Sequence, residues 1–114
     1  MKFFAAIAIA SVSATEYNPM DISIDTRSWG SEISWTITDP QQNVLCKGGP
    51  YKSHSEETIS CQLEDGSYTL TCLDSYGDGW HGGSFNIDGA NFCKDFRTGY
   101  KVAHTFRKGA GKAE

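Results

Sequence analysis

The chain has 114 residues, 14 acidic against 10 basic, and a formal net charge of -4. That length holds one ordinary domain, and no apolar run approaches the ~18 residues that a membrane helix needs. The acidic balance is a poor match for nucleic acid or an anionic membrane surface and suits calcium or a basic partner.

The N-terminus reads as a signal peptide. Lys2 supplies the positive start, "FFAAIAIA" the short apolar run, and "SVSA" the small residues, Val12 and Ala14, before cleavage. Residues 1–14 are therefore expected to be removed, leaving a secreted chain of 100 residues, 15–114. All four cysteines, Cys46, Cys61, Cys72 and Cys93, lie in that part, and an even count after a leader predicts two disulfides. They contain no C-x-x-C pair, which argues against a zinc cage.

Short strands follow in order. "MDISIDT" at 20–26 puts Met20, Ile22 and Ile24 on one side. "EISWTIT" at 32–38 puts Ile33, Trp35 and Ile37 inward, with Ser34, Thr36 and Thr38 outward. A run at 43–47 precedes "TISCQLEDGSYTLTC" at 58–72, where Asp65 and Gly66 form a favoured two-residue hairpin turn. That register gives strands 56–63 and 67–73 one apolar face, made of Ile59, Cys61, Leu63, Tyr68, Leu70 and Cys72. It also makes Cys61 and Cys72 diagonal neighbours roughly 7 Å apart, too far for a bridge that needs about 4 Å. The favoured pairs are then Cys46 with Cys61 and Cys72 with Cys93, the two local ones. Runs at 84–88 and 90–94 come next, and "KVAHTFR" at 101–107 groups Val102, His104 and Phe106. About eight short strands predict an all-β, two-sheet antiparallel sandwich of jelly-roll type over 15–107, followed by a flexible basic tail at 108–114. Residues 15–93 carry 12 acids and 3 bases, whereas 94–114 carry 6 bases and 2 acids. Such a split favours self-association of the basic C-terminus with the acidic body of a neighbour.

The segment "DSYGDGWHGG" at 74–83 is the candidate functional loop. Its four glycines let carbonyls turn inward. Asp74 and Asp78, with the carbonyls near Tyr76 and Trp80, would form an oxygen cage for calcium, and Asp65 or Asp88 could add a third carboxylate if the fold brought it near. Trp80 is expected to plug the end of the sandwich beside the Cys72 bridge. The same stretch read as a glycan site would use Tyr76, Trp80 and His81 for stacking on a sugar ring. There is no G-x-S-x-G motif, and the cysteines are committed to bridges, so nucleophilic catalysis has no support.

The run "C-x-L-x-D-G-x-Y-x-L-x-C-x-D-S-Y-G-D-G-W-x-G-G", residues 61–83, resembles small secreted modules with a D-S-Y-G-D-G-W-x-G signature, often repeated within larger chains. A looser likeness continues through "SFNIDGANFC". The resemblance implies a β-sandwich, CUB-like in general form, and an extracellular binding or structural module that is not an enzyme. The expectation is therefore an adhesion or extracellular-matrix module with calcium in its 74–83 loop and an extracellular protein or glycan as partner. A carbohydrate-binding module is the alternative, and a secreted hydrolase is third.

Overall fold

The computed structural model describes residues 20–109. The expected leader, the start of the expected mature chain at 15–19 and the tail residues 110–114 lie outside the described residues. Among the described residues eight strands form: β1 Ile22–Asp25, β2 Ile33–Thr38, β3 Val44–Gly48, β4 Glu56–Ile59, β5 Gly66–Asp74, β6 Ser84–Ile87, β7 Ala90–Phe92 and β8 Lys101–Lys108. A 3-10 turn, Gly30–Glu32, precedes β2. The strands make two antiparallel sheets of four, in the orders β4-β1-β6-β7 and β3-β2-β5-β8. Only β2 to β3 and β6 to β7 connect neighbours in one sheet; the other connections cross between sheets, as in a jelly roll.

Alternation decides which side chains meet between the sheets. Ile33, Trp35 and Ile37 point inward from β2, and Ile22, Ile24 and Phe85 face them from the other sheet, all essentially without exposure. Trp35 and Phe85 meet edge-on with ring centroids 4.8 Å apart. Trp35 keeps its one donor satisfied through Nε1–H to the Tyr51 hydroxyl at 2.8 Å. Along one side, the edge strands β7 and β8 are closed by Phe92 against His104 and Phe106, at 5.6 and 6.5 Å.

The expected hairpin at Asp65 and Gly66 does not form. β4 pairs with β1 in one sheet, while β5 lies in the other between β2 and β8. The residues on the predicted apolar face still point inward: Cys61, Leu63, Tyr68, Leu70 and Cys72 are buried, and Ile59 packs against them. Both favoured disulfides are present, Cys46–Cys61 and Cys72–Cys93. Each ties one sheet to a segment that follows a strand of the other. Lys108, expected in the tail, instead closes β8, is buried, and lies 3.5 Å from the Asp65 carboxylate.

The registers Asp25 opposite Ser84, Ile33 opposite Asp74, Trp35 opposite Gly48 and Leu73 opposite Lys101 gather four connections at one end. These are 26–32, 49–55, 75–83 and 93–100. Asp65 and Asp88 lie at the opposite end, next to the start of β5 and just after β6.

Candidate functional site

Asp74 is the last residue of β5 and only 2% exposed. Its Oδ2 accepts the backbone N–H of Asp78 at 2.5 Å and of Gly79 at 2.8 Å, and Oδ1 accepts that of Tyr76 at 3.4 Å. Burial pushes its pKa up, but the hydrogen bonds from Asp78, Gly79 and Tyr76 outweigh that and hold the carboxyl below the ordinary aspartate range. Asp74 is thus the internal anchor of the loop. Oδ2 accepts two N–H groups, so this oxygen is engaged within the loop.

The glycine-rich loop is laced to segment 93–100 rather than left free. Asp78 bridges Gly99 in parallel, the Gly99 N–H reaches the Gly77 carbonyl at 2.9 Å, and the Asp74 N–H reaches the Tyr100 carbonyl at 2.8 Å. Trp80 donates its backbone N–H to the Phe96 carbonyl and its indole N–H to the Leu73 carbonyl, both at 2.9 Å. Its ring has no exposure and sits 6.4 Å from Phe96. Trp80 is therefore a plug, which corrects its place in a stacking platform: no ring face is open to a ligand. The Trp80 carbonyl accepts the Gly83 N–H at 2.9 Å, so it too is engaged within the loop. Gly79 is required here. At φ 81° its backbone runs so close to segment 93–100 that a Cβ would stand 2.1 Å from the Phe96 carbonyl oxygen.

A third acid arrives from elsewhere in the chain. Glu32 ends the 3-10 turn, and its carbonyl accepts the Ser75 N–H at 3.0 Å. One ligand atom each from Glu32, Asp78 and His81 fall within 4.8 Å of one another. His81 Nε2 lies 3.4 Å from Asp78 Oδ2. Glu32 Oε1 and Asp78 Oδ1 are both shielded from solvent and have no hydrogen-bond partner. Burial first, then the negative charges of Asp78 and Asp74 and a hydrogen bond with Asp74, push the Glu32 carboxyl above the ordinary glutamate range, with His81 opposing. Two carboxylates offer the hard oxygens that calcium prefers, and the imidazole adds a donor suited to zinc or manganese.

Of the loop residues singled out in the sequence, Asp78 and His81 meet in this cluster, Tyr76 stands 72% exposed, and Asp74 and Trp80 turn inward. Asp65 and Asp88 are at the far end, so neither supplies the third carboxylate. Glu32 carried no signal of its own in the sequence; it reaches the loop because β2 pairs with β5. Trp29 and Tyr100 are exposed at the same end, and both were hidden in the sequence inside ordinary turn segments. Comparison with known proteins found no matching family model, no matching curated protein and no matching solved structure.

Proposed function

We propose that this is a secreted, non-catalytic adhesion or extracellular-matrix module whose loop 74–83 is locked by a divalent cation, calcium first. The observation that carries the reading is the pair of shielded, unpartnered oxygens, Glu32 Oε1 and Asp78 Oδ1, converging with His81 from two loops. A buried acceptor without a donor costs free energy, and a cation between such oxygens removes that cost. The two disulfides support an oxidising, extracellular setting. Among the described residues no helix is long and apolar enough to cross a membrane.

Calcium should raise the melting temperature relative to chelator by mass action, and Glu32→Gln should remove that shift while leaving the chelated protein folded. Parallel titrations with zinc and manganese report whether His81 takes part. Equal melting temperatures in excess of each cation and in chelator would remove the metal from the account.

The partner is an extracellular protein or a glycan, and the exposed ring of Tyr76 favours the glycan. The charge split supports self-association as well, since Glu56 and Glu57 are exposed on edge strand β4 and Lys101 and Arg107 on edge strand β8. Sedimentation velocity at low and high salt tests it; association that weakens with salt is the expected result.

A further inference from the structure

The five large hydrophobic side chains exposed among the described residues divide by chemistry. Val44 and Leu45 are aliphatic and lie on β3. Trp29, Tyr76 and Tyr100, at 58, 72 and 66% exposure, are aromatic, and all three belong to the loop end that also holds Glu32, Asp78 and His81. Three separate connections supply them: 26–32, 75–83 and 93–100.

Local contacts fix the main chain at Trp29 and Tyr76 and seat the Tyr100 ring. Trp29 has φ 63°, in the left-handed region that a bulky residue rarely occupies, and its carbonyl accepts the Glu32 N–H at 3.0 Å. Tyr76 is tied through its N–H to Asp74. Tyr100 rests on Gly77, where a Cβ would be 2.9 Å from the ring carbon Cζ and 3.1 Å from Cε1. The Tyr100 ring therefore packs close to the Gly77 backbone, while the side chain as a whole remains largely open to solvent.

We propose that this end binds a neutral polysaccharide by stacking sugar rings on Trp29, Tyr76 and Tyr100. The inference rests on the glycan reading above and names the residues and the ligand class. Flat aromatic faces are electron-rich and meet the C–H groups on the apolar face of a pyranose. Three rings on three loops suit a chain of sugars better than a single one. Charges in the connections at this end have both signs, Glu32, Asp78 and Asp95 against Arg27, Lys52, Lys94 and Arg97, so no strong single-sign field selects a uronate or sulfate polymer.

The test is depletion of the full chain from solution by microcrystalline cellulose and by chitin, with alginate as the anionic counter-probe, in calcium and in chelator. Trp29→Ala, Tyr76→Ala and Tyr100→Ala should each weaken retention on cellulose or chitin roughly two- to tenfold, and the triple variant should abolish it. Val44→Ala with Leu45→Ala should change nothing. The removed side chains are exposed, so the variants should keep the wild-type melting temperature. Retention that survives the triple variant overturns the platform but leaves the glycan reading standing. Retention on alginate alone overturns the ligand class. Binding to none of the three overturns both. Retention that is equal in calcium and chelator supports a platform independent of the cation.

Discussion

Position 74 tolerates a buried carboxylate because three backbone N–H groups converge on it. Asp74→Ala leaves buried donors unmet and should cost about 2–3 kcal/mol, read as a lower urea midpoint. Gly79→Ala combines a positive φ with a Cβ 2.1 Å from the Phe96 carbonyl oxygen. It should cost at least about 2 kcal/mol, measured by thermal unfolding, because the obstacle is backbone that cannot rotate away. Both residues were visible in the sequence as members of an unusual loop, but their work was not. A carboxylate that accepts its own loop's N–H groups and one that faces a cation look the same when written as a letter. Burial and hydrogen-bond geometry separate Asp74, which accepts its own loop's N–H groups, from Asp78, whose Oδ1 is shielded and has no hydrogen-bond partner.

Among the elements, period-two alternation predicted which side chains face inward but not which strand lies alongside. Ile59, Cys61, Leu63, Tyr68, Leu70 and Cys72 share the core as expected, although the strands that carry four of them, β4 and β5, belong to different sheets. A strand has two edges, and local turn chemistry at Asp65 and Gly66 cannot outweigh the pairing of β5 with both β2 and β8. The preferred disulfides are found even though the hairpin used to infer them is not. The β2 to β3 turn does work locally. Asp39 Oδ1 accepts the backbone N–H groups of Gln41 and Asn43, each at 2.9 Å, and Oδ2 accepts the Asn43 side chain at 3.0 Å. The side chain of Asn43 first, then its backbone N–H, hold the Asp39 carboxyl below the ordinary aspartate range against an opposing desolvation. Because the folded value is the lower one, this stabilisation is present above about pH 3.8 and is lost as pH falls through the folded value. Asp39→Asn should flatten the acid limb of the stability curve between about pH 2 and 5, measured by urea unfolding against pH. An unchanged limb would show that the turn carboxylate is not coupled to folding.

In the whole molecule, the two bridges join the sheets and close loops of 15 and 21 residues. In the chain-entropy model they contribute on the order of 6 kcal/mol together, comparable with the whole net stability of a small domain. Reduction at neutral pH should therefore collapse the far-ultraviolet β signal at a temperature where the oxidised protein is folded; a reduced chain that melts within a few degrees of the oxidised one would contradict this. Within the described residues, the amino-acid sequence alone determined the number of strands and their inward faces, because periodicity and turn chemistry act over a few residues. Only the tertiary structure decided the rest: that β4 and β5 part company, that Glu32 joins Asp78 and His81, that Trp80 turns in while Trp29, Tyr76 and Tyr100 turn out. Those outcomes depend on which strands become neighbours, and that choice is made by packing two apolar faces against each other across the whole chain.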